Sequence, residues 1–508
     1  MTDFAARLAT QLDRRARLVL AIILVLVAEA AVLRALNRTF WYDEVFTAIL
    51  ARQPSFQVAR DALLQAVDTN PPAFHLAARI GQTLVGDDHL GCRLTGVLGI
   101  LMILAAVYLI LERRVDRLSA LTGSVFVMCT VLPAYSYEAR PYAFMLGWIS
   151  LAVLCWQRAS TRPLYPWLLA LSLALAASLH YYAILIFPAF GLAEAAVLWR
   201  ARRFRLPVWL ALAAGALPML WLSPYLLALR QAFGSHNWAH PTPFLMFSTY
   251  QWLFTFGSAW GWTFAVGIAV LFIRWHLLAA WRRGIEGAMD LAEAVLVFTL
   301  LAFPAIAVPA AMLAHGGMAP RYMMVVLVGA ALVVGYLAPR LPAGVRLLLL
   351  FLLIMDGAMY MGSELLPVAL DGVKGARQNA AGEVAAYRKA ANQADLPMVV
   401  SSGFQYLPMA YYTPPELARN VYQLMDAPGA VQYTGTDSID LALIILKRYF
   451  PLQTPDYQDF FAAHREFLLV ANGDSWDWWP RRLRHDGHTL ELLAIEGRTS
   501  VYKVTLKP

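Results

Sequence analysis

The chain has 508 residues, of which 60% are hydrophobic and only 15% charged, with a formal net charge of +8 and a mean hydropathy of +0.55. Soluble domains carry about 25% charged residues, so a soluble globular fold is excluded. Residues 363–508 hold 14 Lys/Arg against 16 Asp/Glu, so the positive excess sits in short loops between apolar runs, which is positive-inside patterning and not a nucleic-acid surface.

In chain order, Arg7, Arg14, Arg15 and Arg17 precede an apolar run over residues 18–36. This reads as an uncleaved first span with a cytoplasmic N-terminus. Further spans are predicted over 91–111, 118–135, 141–157, 164–181, 183–199, 207–227, 250–273, 291–314, 322–338 and 345–362, eleven in all. Arginines cluster in alternate loops: Arg113, Arg114 and Arg117; Arg158 and Arg162; Arg200, Arg202, Arg203 and Arg205; Arg274, Arg282 and Arg283; Arg340 and Arg346. Those loops are expected inside. The others, and the C-terminus, are then expected outside, in the periplasm if the membrane is a bacterial inner membrane.

The expected fold is thus a polytopic α-helical membrane protein over residues 1–362, followed by an external α/β domain over 363–508. Residues 37–90 form a long first external loop. Within it Phe56, Ala59, Leu63, Leu64 and Val67 recur at helical spacing, as in a helix lying on the membrane surface. Asp68 to Pro72 break that helix, and the two prolines suit the start of another. Beyond 363, Met398–Ser402, Leu441–Leu446 and Phe467–Ala471 read as short buried strands, Leu490–Ile495 with Ser500–Thr505 as a hairpin, and Gly382–Gln393 as a helix. Cys92, Cys129 and Cys155 lie in or beside apolar runs and read as packing residues, with no disulfide or metal cluster expected. No nucleotide-type phosphate loop is evident.

The polar motifs gather at predicted external span ends. In Trp41-Tyr42-Asp43-Glu44, two carboxylates stand between aromatic residues just past the first span. A carboxylate there can stay ionised and take a proton from a hydroxyl, or it can simply begin a helix. In Tyr137-Glu138-Ala139-Arg140-Pro141-Tyr142, the acid and the guanidinium can pair with each other or face a phosphate. His180-Tyr181-Tyr182 sits at a hairpin between spans and fits an interface belt as well as a site. Pro320-Arg321-Tyr322 opens another span, where Arg321 can snorkel to lipid headgroups or hold a lipid phosphate. His75 follows the two prolines; His236, Asn237, Trp238 and His240 are weaker candidates. A divalent metal is conceivable from Asp43, Glu44, His75, Asp87, Asp88 and His89, but their spacing is not that of a tight ligand set.

Taken together, Trp41-Tyr42-Asp43-Glu44, Asn70-Pro71-Pro72-Ala73-Phe74-His75 and Tyr137-Glu138-Ala139-Arg140-Pro141-Tyr142 behind a first span resemble the GT-C glycosyltransferases. The branch is that of protein O-mannosyltransferases, lipid A aminoarabinose transferases and rhizobial lipopolysaccharide galacturonosyltransferases. Asn70 stands where many relatives carry His before the prolines. The resemblance implies a GT-C-like membrane body and external α/β domain, and a polyprenyl-phosphate sugar donor used without a nucleotide. The acceptor would be a glycan, lipid or protein hydroxyl. It carries the role of base to Asp43, with Glu44 orienting it or binding acceptor or donor; should Asp43 not be the base, Glu44 or Glu138 is the next candidate. Arg140 and Arg321 would hold the departing phosphate, helped by His180, Tyr181 and Tyr322. His75, Tyr137 and Tyr142 are expected to bind substrate. A ligase or polymerase using a diphosphate carrier is the nearer rival. A lipid-linked sugar transporter or flippase is the other, but it would more typically place charges at mid-membrane depth.

Overall fold

The computed structural model describes residues 2–234, 237–254, 289–372, 382–392 and 396–507. The expected span over 250–273 beyond residue 254, the arginines Arg274, Arg282 and Arg283, and His236 lie outside the described residues.

Helix α1, Thr2–Asn37, carries the first apolar run. The loop that follows folds into three short helices: α2 (Tyr42–Ala51), α3 (Phe56–Leu64) and α4 (Pro72–Val85). Each start has a local cause. The Ser55 hydroxyl accepts the Val58 N–H and caps α3. Pro72 occupies the first turn of α4, where its missing N–H costs nothing. Gly86, at φ +74, ends α4 in the left-handed conformation that a Cβ would disfavour. Asp87 then caps α5, Asp88–Leu111, by accepting the Leu90 N–H at 2.8 Å.

The bundle continues through α6 (Arg117–Phe126), α7 (Tyr142–Arg158), α8 (Leu164–Leu179), α9 (Phe187–Ala201), α10 (Leu206–Ala216), α11 (Pro218–Phe233) and α12 (Leu245–Leu253). Later come Leu291–Leu301, Phe303–Ala314, Val325–Leu337 and Ala343–Asp371. Among the described residues, five helices are long and apolar enough to cross a membrane, or up to six if the pair 291–314, bent by 55°, is one span. Among the described residues, not every expected run is one long helix. Run 118–135 is α6 followed by 3-10 turns at Val127–Cys129 and Leu132–Tyr137. In the bent pair, Pro304 in the first turn of the second helix has no N–H to continue the first.

Glycines on α5 fix where α7 begins. A Cβ on Gly99 would lie 2.3 Å from the Ala143 backbone, and one on Gly96 would lie 2.7 Å from the Tyr135 carbonyl. Close approach of this kind is how membrane helices pack in the absence of a hydrophobic drive.

The bundle has two polar ends. At one, the arginine-rich loops pair with carboxylates on neighbouring helices: Arg17 with Glu112, Arg114 with Asp290 and Glu293, Arg205 with Glu194, Arg346 with Asp116. The first loop, residues 138–142, residues 180–182 and residues 320–322 gather at the other.

The C-terminal part forms a five-stranded mixed sheet in the order β2-β1-β3-β5-β4, with β1 Met398–Val400, β2 Val421–Tyr422, β3 Glu466–Ala471, β4 Thr489–Glu496 and β5 Thr499–Thr505. β1 is parallel to both neighbours, while β3, β5 and β4 are antiparallel. Leu441–Leu446 is a correction: it belongs to a helix, Ser438–Leu446. A six-residue apolar run does not distinguish strand from helix by periodicity. Here Leu443 and Leu446 are buried on one helical face, and Ile439 packs so tightly on Gly403 that a Cβ there would lie 2.3 Å away. One apolar core runs from Val45, Phe46, Ile49 and Leu50 of α2 into Tyr406, Leu407, Leu443 and Leu446. The Tyr412 hydroxyl accepts the Phe40 N–H at 2.7 Å across the same junction. The C-terminal part is thus seated directly on the first loop.

Candidate active site

Consecutive residues on a helix point about 100° apart. Asp43 and Glu44, in the first turn of α2, therefore diverge. Glu44 turns inward and is fully buried with Arg93 of α5. Arg93 Nε donates to Oε1 at 2.8 Å and Nη2 to Oε2 at 2.7 Å, a bidentate pair. The Ala139 N–H adds a bond at 2.6 Å and the Trp41 N–H another at 3.3 Å. Burial alone would raise the Glu44 pKa, but Arg93 outweighs it and the carboxyl sits below its ordinary value. Arg93 spends its other donors on the carbonyls of Ala35, Arg38 and Thr39. It thereby ties the end of α1 and the start of α2 to α5.

Asp43 turns outward into a cavity of about 310 Å³. Its Oδ2 pairs with Arg140 Nη1, and Arg321 Nη2 stands 3.8 Å away. Tyr142 sits behind both guanidiniums, its hydroxyl accepting from Arg140 at 2.8 Å and from Arg321 at 3.1 Å. Arg140 lies over the Trp41 ring and Arg321 over the Trp238 ring, 5.6 and 5.0 Å from the centroids. Burial would lower the pKa of Arg140, but Asp43 more than compensates and it stays charged. Asp68 lines the same cavity. Its Oδ2 lies 3.1 Å from His75 Nε2 and 3.0 Å from Asn70 Nδ2.

A second cavity of about 600 Å³ adjoins the first. Its walls are mainly apolar: Leu226, Leu227 and Phe233 of α11, Ile184 and Leu185, and Ala310 and Ala311 of the bent pair. Thr69, Phe233, Asn237, Trp238 and Tyr322 line both cavities and form their shared wall. His180 and Tyr181 face the apolar one. Burial, and then the charges of Arg140 and Arg321, hold the His180 pKa down at about 3, so its ring is neutral. The ring packs against Tyr322 with centroids 4.9 Å apart, and its Nδ1 accepts the Tyr182 N–H at 3.3 Å.

Of the residues singled out from sequence, Asp43, Arg140, Arg321 and Tyr322 converge on the polar cavity, with Tyr142 bridging the two arginines. Asn237 and Trp238 join them. Four others point elsewhere. Glu44 is bound to Arg93. Glu138 lies 3.5 Å from Arg38. The Tyr137 hydroxyl donates to Glu364 at 3.0 Å. His75 stands behind Asp68. Burial and the charge of Glu44 push the Glu138 carboxyl up to about 7 against the pull of Arg38, Arg140 and Arg93. Sequence reasoning passed over Asp68, Arg93, Phe404 and Trp476. Arg93 had a usable signal, a charge just inside an apolar run.

The suggested metal donors are spoken for. Besides Asp43, Glu44 and His75, Asp87 caps α5, Asp88 pairs with Arg52, and His89 Nε2 meets the Tyr412 hydroxyl at 2.7 Å. Among the described residues no three His, Cys, Asp or Glu side chains come together to hold a metal. As placed, these residues do not fit a metal centre.

No protein-family model matches the chain, and no curated protein matches its sequence. Solved structures do. ArnT from Cupriavidus metallidurans bound to undecaprenyl phosphate is similar over 95% of this chain and 97% of its own, with a TM-score of 0.55 and 14% identity. Its apo form gives a TM-score of 0.56 at 15% identity over the same shares. An oligosaccharyltransferase from Archaeoglobus fulgidus covers 96% of this chain and 74% of its own, with a TM-score of 0.41. Over nearly its whole length this chain has the fold of ArnT from Cupriavidus metallidurans.

Proposed function

We propose that the protein transfers a single sugar from a polyprenyl-phosphate donor to an acceptor hydroxyl, with inversion at the anomeric carbon. The observation that carries this reading is the meeting of two cavities at Asp43, Arg140 and Arg321. A polar chamber holds a carboxylate and two guanidiniums, and an apolar chamber opens beside it across a shared wall. That juxtaposition suits an amphipathic donor, with the prenyl chain in the larger cavity and the phosphate at the arginines.

In this reading the Asp43–arginine contacts hold the place of the donor phosphate. When the phosphate arrives, Arg140 and Arg321 turn to it, and Asp43 is released to act as a base. The acceptor hydroxyl gives its proton to Asp43 while its oxygen attacks the anomeric carbon. The bond from that carbon to the phosphate oxygen breaks, and the electron pair leaves with the phosphate. Arg140 and Arg321 stabilise the departing charge. One displacement inverts the centre. Glu44 and Arg93 position α2 so that Asp43 faces the cavity. The site end is read as periplasmic and the arginine-rich end as cytoplasmic, by positive-inside patterning.

The test is direct. The purified protein in lipid nanodiscs is given a radiolabelled polyprenyl-monophosphate sugar, and release of the label to acceptor or water is followed. Turnover of the monophosphate donor is expected. Turnover of diphosphate-linked glycans alone would favour a ligase, and translocation of intact lipid without bond cleavage a flippase.

A further inference from the structure

The polar cavity is built by two distant parts of the chain. The first loop and the span ends supply its charges, while Phe404, Ser438 and Trp476 come from the C-terminal part. The aromatic rings there form a continuous ladder. Phe46 and Tyr42 lie 5.2 Å apart between centroids, Tyr42 and Phe404 4.7 Å, and Phe404 and Trp476 5.4 Å. Asp43 follows Tyr42 directly, so the ladder stands beside the base.

We propose that this ladder is the acceptor subsite, and that the acceptor it takes is a pyranose whose ring packs on Phe404 and Trp476 while one hydroxyl faces Asp43. The inference rests on the transferase reading and names its acceptor class. A pyranose offers C–H patches on its faces and hydroxyls on its rim, so it needs flat apolar walls edged by a few polar atoms. Both are present. Tyr42 is only 7% exposed, and among the described residues neither its hydroxyl nor the Trp41 indole N–H has a hydrogen-bond partner. A buried donor left unpaired costs free energy, which a ring hydroxyl would recover. Burial and the charge of Asp43 hold the Tyr42 phenol protonated, so it can donate. A cavity of about 310 Å³ has room for a sugar ring but not for a folded glycan. Its two cations, Arg140 and Arg321, are already committed to Asp43 and the donor phosphate. An acceptor bearing its own phosphate at the reacting end would find no further cation among the described lining residues.

The experiment uses the full chain in nanodiscs with the labelled polyprenyl-monophosphate sugar. Three acceptors are offered separately: octyl β-glucopyranoside below its micellar concentration, a Ser/Thr-containing peptide, and a diacylglycerol. Preferred transfer to the pyranoside is expected. Trp476→Ala should raise the KM for the pyranoside about three- to tenfold, with a smaller change in kcat. Trp476→Phe should restore most of the affinity, which a merely structural role for the ring would not predict. Preferred transfer to the peptide or the diacylglycerol overturns the inference, as does an unchanged pyranoside KM in the alanine variant. Wild-type release of label to water, measured without acceptor, reports on the transferase reading alone. If it is absent together with all transfer, that reading falls and the subsite falls with it.

Discussion

Asp43 and Glu44 are neighbours in sequence, and each meets arginine, yet the two sides of α2 behave as opposites. Behind the helix, Glu44 and Arg93 are fully buried and saturated: the carboxylate accepts four bonds and the guanidinium spends its remaining donors on backbone carbonyls. In front, one carboxylate is shared between Arg140 and Arg321, at the wall of an open cavity. A saturated buried pair has nothing left to offer a ligand, and removing one partner strands a charge. A shared pair at a cavity can exchange partners with little loss. The difference teaches that an acidic doublet is not a functional unit; the helix divides it into a strut and a site.

The comparison can be broken in four ways. The largest expected effect is on Asp43→Asn, which keeps the shape but cannot accept a proton. Turnover should fall about 10²–10⁴-fold while the unfolding temperature stays near wild type. An Asn variant within a fewfold of wild type in a sugar-transfer assay would remove Asp43 as the base. On the other side of the helix the effect should fall on folding instead. Arg93→Ala strands Glu44 and should cost about 3–5 kcal/mol of stability, read from denaturation in detergent, with Arg93→Met/Glu44→Leu recovering part. A stable but inactive Arg93→Ala protein would put Glu44 back in the site. Third, Arg321→Ala should cost about 1.5–3 kcal/mol in donor binding or turnover, and Arg321→Lys less. Donor titration against the purified variants decides it.

The smallest effect concerns Glu138. Its carboxyl, ordinarily near 4.5, is raised to about 7, so it holds its proton more tightly folded than unfolded. The stability this contributes is complete below pH 4.5 and is lost as the pH rises through 7. Glu138→Gln should therefore flatten the decline of stability across that window. An identical pH profile for the variant would mean that Glu138 is not the group that titrates.

The apolar runs were legible because hydropathy is local, and within the described residues each overlaps a helix. Their continuity was not: the 118–135 run leaves the α-helix after Phe126, and Pro304 breaks the 291–314 run that composition alone joins. Arg140 was legible as a charge beside a span end. That Glu138 meets Arg38 and Tyr137 meets Glu364 was not, because both partners lie a hundred residues or more away in the chain. Asp68 was read only as a helix breaker, yet it lines the cavity. Phe404 and Trp476 carry no local signal at all: what gives them meaning is Tyr42, more than three hundred and fifty residues earlier in the chain.

The Glu44–Arg93 staple also bears on how the protein is made. The two residues lie 49 positions apart, with the whole first loop between them. At about 5–20 residues per second, a ribosome takes roughly 2–10 s to reach Arg93 after Glu44. Throughout that interval the carboxylate has no guanidinium partner, and the start of α2 cannot be locked to α5. Maturation of the cavity-facing side of α2 therefore waits on delivery of α5, so the first span and its loop emerge from synthesis as an unfinished part, dependent on its successor for shape.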